Sequence, residues 1–416
     1  MRFLAGLALA SILFLPHRAL AENPAAASAP KIGFAQQRAA VLALGKLTEP
    51  PQVHAAEGFD STLNLRAIYY DALPWKGKPT RVFAWLGVPE SKQAKLPGIV
   101  LVHGGGGTAF KDWVEKWNAH GFAAISIAVE GQTDEPAPSP TPRQRAWKSH
   151  AWAGPKRPGI YTDFSEPLAE QWMYHAVADT ILANSLLRSL PEVDAERVGI
   201  MGVSWGGVIT STVMGIDSRF AFAVPTYGCG HLFDADNQWG RALGDNAQYQ
   251  NVWDPMLRMD RANMPALWLS WPGDTHFPLD CQAATYRAAA GPRMVALIPG
   301  MGHSQKHATT PADSYAFAES VFRDGKPWCR QTAAFVRDGT AEVEFVSWKP
   351  LEQAVLLWTP DRGFTADRKW NESPATMEQR DGRWRITASL PEEATAWFVN
   401  ARSGELTVSS DFQEVK

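Results

Sequence analysis

Three side chains able to perform nucleophilic catalysis follow one another in the order serine, aspartate, histidine along this 416-residue chain. The first is Ser204, within ERVGIMGVSWGGVITSTVMG (196–215). An apolar run, Val198 to Val203, ends at the serine. Gly202 precedes it by two positions, Gly206 and Gly207 follow it, and apolar residues then resume at a helical period. The pattern predicts a strand, a sharp turn and a helix, with the serine at the apex. Only small flanking residues let a chain turn that tightly, and such a turn pushes the serine Oγ out of the sheet. The next helix would aim its N-terminus at the same point, where negative charge could develop. A glycine-rich strand-to-helix turn occurs in many α/β proteins. The serine therefore needs a base, an acid and an oxyanion hole elsewhere in the chain.

Both partners are found at predicted strand ends, where open α/β sheets carry their chemistry. Asp274 closes ALWLSWPGD, in the sequence GDTHFPLD, and His303 follows the last buried strand in PGMGHS. A histidine in a loop just beyond a strand can take the serine proton, and an acid one strand back can hold its other ring nitrogen. Gly300 and Gly302 free the loop of His303. Asp280 is a rival for Asp274, and His276 and His307 are rivals for His303. One oxyanion donor is expected from the backbone N–H of Trp205, at the start of the helix after the nucleophile. The other is expected from HGGGG (103–107), where residues without Cβ let a backbone N–H approach a carbonyl; Gly105 and Gly106 are the candidates. His103 reads as structural. Two other chemistries fit less well. Gly104, Gly106 and Ala109 with Glu130 loosely match a dinucleotide fingerprint, which leaves Ser204, Asp274 and His303 unexplained. HSQKH (303–307) lacks the glutamate of a zinc-binding H-E-x-x-H.

The elements that must position these groups can be read along the chain. LNLRAIYYDAL and TRVFAWLGVPE, from about Leu63, read as two opening strands. GIVLVHGGGG (98–107), FAAISIAVEG (122–131), FAFAVPTYG (220–228), ALWLSWPGD (266–274) and RMVALIPGMGHS (293–304) contain apolar runs of strands buried on both faces. Between the first two, KDWVEKWNAH is a helix with Trp113 and Trp117 on one side. Strand, helix, strand implies a parallel sheet. Residues 131–164 are rich in Pro and Gly and read as a lid or rim over the substrate mouth. Ser165 is a candidate N-cap for a long helix running to Leu190. Residues 231–263 form a second polar and aromatic excursion. Beyond Cys329 the runs become short and alternating, with Asp381-Gly382 and Ser403-Gly404 as hairpin signals, which predicts a small β-sandwich. The expected division is a signal peptide (1–21), an N-terminal extension (22–59) frayed to about residue 40, a catalytic domain (60–328) and a C-terminal β-sandwich domain (333–416).

Composition narrows the function classes. Apolar content of 45% with 20% charged residues fits a folded globular chain, and a formal net charge of −3 offers no basic surface for nucleic acid or anionic lipid. MRFLAGLALASILFLPHRALA begins with Arg2, continues with an apolar stretch too short to span a bilayer, and ends in the A-x-A pattern Ala19-Leu20-Ala21. It reads as a cleaved secretory signal, placing the mature protein in the periplasm or outside the cell with no membrane anchor. Of the three cysteines, Cys281 and Cys329 are the preferred disulfide pair, and Cys229 reads as a small buried hydrophobe. Among the 18 tryptophans, Trp147, Trp152 and Trp239 fall in loops expected near the mouth, where they could stack on sugar faces.

HGGGG, VDAERVGIMGVSWGGV, GDTHFPLD and GMGHS together make residues 60–325 resemble the α/β-hydrolase superfamily. The resemblance is to its branch of acetyl xylan esterases, dienelactone-hydrolase-like proteins and prolyl-oligopeptidase catalytic domains. GVSWGG followed by FAFAVPTYGCG and Trp253-Asp254-Pro255 is most similar to secreted bacterial acetyl xylan esterase-like proteins. The resemblance implies an α/β fold with a mostly parallel central sheet and helices on both faces. It implies a Ser204–His303–Asp274 triad, oxyanion donors at Trp205 and the glycines, and no cofactor. The expected substrate is a small ester or an acetylated polysaccharide. The chain departs from the branch in three ways. Prolyl-oligopeptidase enzymes carry a β-propeller that does not fit into the sequence ahead of HGGGG. Dienelactone hydrolases use a cysteine nucleophile. The C-terminal sandwich is additional to the minimal fold. A dipeptidyl-peptidase-like amidase and an inactive carbohydrate-binding module are the competing functions.

Overall fold

The computed structural model describes residues 33–92, 94–139 and 145–415. Residues 33–416 cluster as one compact unit. The expected signal peptide and its cleavage site lie outside the described residues.

Helix α1 (Phe34–Ala43) opens the described chain. It corrects the expectation of a frayed segment to residue 40. Arg38 Nη1 donates to the Asn251 carbonyl at 2.9 Å, and Val41 is fully buried, so long-range contacts order a stretch whose composition alone suggests a loose end. Strand β1 (Val53–Ala55) pairs antiparallel with β2 (Leu65–Trp75), and β2 with β3 (Lys78–Gly87) across Lys76 and Gly77, both at positive φ. Next come β4 (Leu96–Val102), helix α2 (Lys111–Ala119) and β5 (Ala123–Ile127). Every residue of β4 and β5 is buried, as their unbroken apolar text requires. Trp113 and Trp117 pack the inner face of α2.

The predicted lid contains a hairpin, β6 (Gln132–Ala137) with β7 (Ala146–Ser149). Helix α3 (Trp172–Ser189) begins later than the Ser165 cap implies. A short 3₁₀ turn, Leu168–Glu170, intervenes, and Gln171 occupies the cap position. Asp163 takes the role expected of Ser165, its Oδ2 accepting the Trp172 N–H at 2.6 Å. Strand β8 (Val193–Val203), helix α4 (Trp205–Val213) and β9 (Ala223–Thr226) follow, then α5 (Gln238–Leu243), β10 (Ala266–Ser270), α6 (Leu279–Ala288), β11 (Arg293–Leu297), α7 (Gln305–Thr309) and α8 (Asp313–Asp324). The strand order β5-β4-β8-β9-β10-β11 is parallel throughout. Each of these strands delivers its C-terminal end to the same edge of the sheet, and the three predicted site residues follow β8, β10 and β11.

The C-terminal strands are β12 (Cys329–Arg337), β13 (Thr340–Ser347), β14 (Gln353–Thr359), β15 (Asn371–Pro374), β16 (Thr376–Arg380), β17 (Arg383–Ser389), β18 (Ala396–Ser403), β19 (Leu406–Ser409) and β20 (Gln413–Glu414). They form two antiparallel sheets, as the alternating text predicts. One is β12-β13-β17-β16, turning between its last two strands at Asp381-Gly382. The other, β19-β18-β14-β15, is not free-standing. Val295 of β11 pairs with Ser409 of β19, so it continues the central sheet edge to edge and gives 14 strands in one surface. Side chains stitch the seam. Asn400 Nδ2 donates to the Leu297 carbonyl at 2.9 Å, Ser409 Oγ accepts the Leu297 N–H at 2.8 Å, and Arg293 pairs with Asp411 at 2.9 Å. A cavity of about 350 Å³ lined by Arg293, Arg330 and Asp411 lies at this seam, apart from the predicted site.

The three cysteines are free and buried, which corrects the Cys281–Cys329 pairing. Cys281 lies in α6, its thiol donating to the His231 carbonyl at 3.3 Å, whereas Cys329 opens β12 against Ser347 of β13. Burial pushes both thiols up, Cys329 to about 12.

Candidate active site

Strand β8 ends at Val203, and the chain reverses at Ser204, whose φ of 57° and ψ of −117° are strained for a side-chain-bearing residue. The turn is locked on both sides: the Ser204 N–H donates to Thr226 O at 2.9 Å and its carbonyl accepts the Val208 N–H at 3.0 Å. The flanking glycines are there because of close approach. A methyl on Gly202 would lie 2.0 Å from Gly206 O, and one on Gly206 would lie 2.1 Å from Val102 O. Strand, turn and helix could not meet with any side chain there.

The serine hydroxyl meets a histidine. Ser204 Oγ and His303 Nε2 are 3.0 Å apart, and His303 Nδ1 is 2.9 Å from Asp274 Oδ2. A carboxylate can only accept, so Nδ1 carries the ring proton and Nε2 is left to accept from the serine. Asp274 is fully buried, and its second oxygen accepts the N–H groups of His276 and Phe277 at 2.9 and 3.0 Å. The His303 ring lies against Tyr227, with centroids 4.5 Å apart, and parallel to Phe277 at 5.9 Å. Tyr227 OH donates to Gly302 O at 2.7 Å and so anchors the histidine loop. Burial, and then the charge of Asp274, push the Tyr227 phenol up, which keeps it a donor.

The oxyanion side is also laid out. Trp205 is the first residue of α4, so its N–H has no intrahelical acceptor. The ring of Trp205 is wedged among Trp239, Trp172 and Tyr161, with centroids 4.7, 5.3 and 5.4 Å away. Across from it runs the glycine loop. A methyl on Gly104 would lie 3.1 Å from Ser204 Cβ, and one on Gly105 would lie 2.5 Å from Trp205 Cδ1. The Gly106 N–H, however, points to Glu130 Oε1 at 3.3 Å, so Gly105 is the freer of the two glycine candidates. His103 props this loop from beneath. Its Nδ1–H donates to Gly104 O at 2.6 Å and its Nε2 accepts the Val129 N–H at 3.1 Å. Burial pulls its pKa down, in keeping with a neutral structural ring.

Comparison with known proteins bears on this geometry. A family model described as acetyl xylan esterase (AXE1) matches residues 54–253. A solved acetyl xylan esterase from Paenibacillus sp. R4 superposes with a TM-score of 0.51 at 23% identity, over 65% of this chain and 89% of that one. Acetyl xylan esterase 1 from Thermoanaerobacterium sp. JW/SL YS485 gives 0.50 at 18% identity, over 65% and 88%. The chain has the α/β-hydrolase fold. A probable dipeptidyl-peptidase 5 of Aspergillus terreus is 27% identical over 158 residues, 37% of this chain and 18% of that protein; its Aspergillus clavatus counterpart is 25% identical over 195 residues. The matched part thus spans under a quarter of the length of these relatives.

Within this fold the rival residues fall away from the hydroxyl. Asp280 sits in the first turn of α6, its Oδ1 3.4 Å from Thr365 Oγ1. His307 lies in α7, beyond the loop that carries His303. His276 is the one rival close by, its ring 4.7 Å from that of His303 and its Nδ1 2.8 Å from Gln238 Nε2. Burial and then the charge of His303 pull its pKa down. Of the tryptophans expected near the mouth, Trp147 donates from Nε1 to Gly106 O at 3.0 Å and Trp239 touches Trp205. Trp152 instead packs against Tyr69 and Arg81 on β2 and β3. Sequence reasoning missed Tyr227 and Arg157, and weighed Glu130 only as the acid of a dinucleotide fingerprint. Tyr227 follows β9 at a φ of 60°, as Ser204 follows β8, and its position at a strand end was the available signal.

Proposed function

We propose that this protein is an exported serine carboxylesterase that removes small acyl groups, acetyl above all, from a plant-type polysaccharide. The observation that carries the reading is the hydrogen-bonded series Ser204–His303–Asp274 at three strand ends. Ser204 Oγ attacks the ester carbonyl carbon as its proton passes to His303 Nε2. The negative charge that develops on the carbonyl oxygen meets the Trp205 N–H and an N–H of the glycine loop, Gly105 or Gly106. The tetrahedral intermediate collapses, and His303 returns the proton to the departing alcohol oxygen, leaving an acyl-serine. Water, deprotonated by the same nitrogen, attacks the acyl carbon, and the acid leaves with Ser204 restored. Buried Asp274 holds the imidazole in the tautomer that both steps need. The match to the acetyl xylan esterase model and the likeness to two solved acetyl xylan esterases support the acetyl ester. The first 21 residues support export as a cleaved signal.

Acetate release from acetylated xylan, measured for the wild type and for Ser204→Ala, tests the reading. Release that falls by about 10⁶-fold in the variant is the expected result. Serine-dependent cleavage of 4-nitrophenyl acetate without release from xylan would keep the esterase and remove the polysaccharide. The Aspergillus matches favour a second reading, a dipeptidyl-peptidase-like amidase. It would replace the first if aminoacyl amides were cleaved and acetyl esters were not. Failure of a fluorophosphonate to label Ser204 would leave only a binding module.

A further inference from the structure

The lid segment places a cation beside the oxyanion hole, and the triad chemistry does not use it. Arg157 Nε donates to Glu130 Oε1 at 2.8 Å and Nη1 donates to Gly159 O at 2.9 Å. The same Glu130 oxygen accepts the Gly106 N–H at 3.3 Å, so one carboxylate ties the arginine to the glycine loop. The guanidinium carbon lies 5.1 Å from the centre of the Trp205 ring. Nη2 sits where a methyl on Gly105 would come within 2.9 Å of it, one residue along from the point where a methyl on Gly104 would meet Ser204 Oγ at 3.8 Å. Among the described residues Nη2 has no acceptor. The two side chains are only 20% and 16% exposed, so the pair is largely screened from solvent.

A guanidinium has two edges that can grip a carboxylate. Glu130 takes the Nε side and fixes the plane, and the Nη2 side lies against Gly105, next to the Gly104 that abuts Ser204. An ester bearing a carboxylate offers those N–H groups an ionised acceptor that a neutral ester lacks. We infer that Arg157, held by Glu130 over Gly105, is a recognition point for a carboxylate on the substrate and makes acid-bearing esters the preferred class. This rests on the esterase reading above. The carboxylate could belong to the sugar that carries the ester, as in an acetylated uronic acid, or to the acyl group itself, as in a hemisuccinate.

The test compares kcat/KM for matched pairs of esters: O-acetyl glucuronic acid against its neutral O-acetyl glucose counterpart, and 4-nitrophenyl hemisuccinate against 4-nitrophenyl butyrate. Each pair is run with the wild type, Arg157→Gln and Arg157→Lys. The readout is the acid-to-neutral ratio within each protein, which a general loss of activity does not move. The expected result is a ratio above one in the wild type for at least one pair, and the pair that shows it identifies the source of the carboxylate. In Arg157→Gln that ratio falls by about 10- to 100-fold, and Arg157→Lys restores part of it through charge. A wild-type ratio of one or less in both pairs overturns the carboxylate subsite. So does an unchanged ratio in Arg157→Gln, which would leave Arg157 a positioning residue for the glycine loop. In both cases the esterase stands. Hydrolysis of none of the four esters by the wild type overturns the esterase reading and the subsite with it.

Discussion

Asp274→Asn separates the triad role of this carboxyl from its role in folding. Asp274 Oδ1 holds the His276 and Phe277 N–H groups, and Oδ2 faces His303 Nδ1. An asparagine can keep both backbone contacts through Oδ1, so the loop after β10 stays closed. Its Nδ2, a donor, then faces Nδ1. Two donors cannot pair, and the imidazole shifts its proton to Nε2, the atom that must accept from Ser204 Oγ 3.0 Å away. The base is then protonated in its resting state. The expected loss in kcat is about 10⁴-fold, equivalent to about 5.5 kcal/mol of barrier. The thermal midpoint should shift by only a few degrees. Asp274→Ala should cost as much activity and also strand the buried Phe277 N–H, at about 1–3 kcal/mol. Hydrolysis of 4-nitrophenyl acetate from pH 6 to 9, beside thermal melts, measures both quantities. An Asn variant within tenfold of wild type would refute the assignment of Asp274 and return Asp280 to consideration.

Three further expectations follow from the same contacts. Gly202→Ala must force its methyl against Gly206 O, at 2.0 Å in the unrelaxed structure, and should abolish activity with a loss of folded protein that urea titration would register. Asp313, buried at the start of α8 with its Oδ1 accepting the Thr407 N–H at 2.7 Å, is pushed up to about 6 by that burial. A raised carboxyl favours the folded state while protonated, and this stability is lost as pH climbs from about 4 through 6. Asp313→Asn should therefore stabilise by up to about 3 kcal/mol at pH 7.5 and by little at pH 4, and an equal effect at both values would refute it. All three cysteines should resist a thiol reagent in the native protein and react fully once unfolded without reductant; an intact mass two units low would show a bridge instead.

The parallel strands and the nucleophile turn were legible because each is written locally. Buried strands are unbroken apolar runs, and Gly202 and Gly206 flag a contact that leaves no room for a side chain. Asp274 could be ranked above its rival because it directly follows a strand, and His303 above its rivals because Gly300 and Gly302 free its loop. What stayed hidden depends on distant partners. α1 is ordered by contacts such as that of Arg38 with Asn251, more than two hundred positions away. The start of α3 is set by Asp163, since a carboxylate two positions before Ser165 reaches the free N–H groups first. The disulfide expectation failed because spacing along a chain says nothing about which faces of α6 and β12 turn toward each other. Glu130 ends a strand text that looked like a ribose-binding acid, and only the folded lid reveals Arg157 as its partner.

The edge-to-edge joint between β11 and β19 changes how the C-terminal region can be regarded. A strand with a bare flank is a template for pairing with other chains, and β11, apolar from Met294 to Leu297, would be such a flank if the chain stopped before β12. The added sheet acts as a hem on this edge. It also stiffens the strand from which the His303 loop departs, through Asn400 and Ser409 on Leu297. A chain trimmed to its hydrolase core would therefore be sticky as well as slack at its base, and the two halves should melt together in a single step rather than as separable modules.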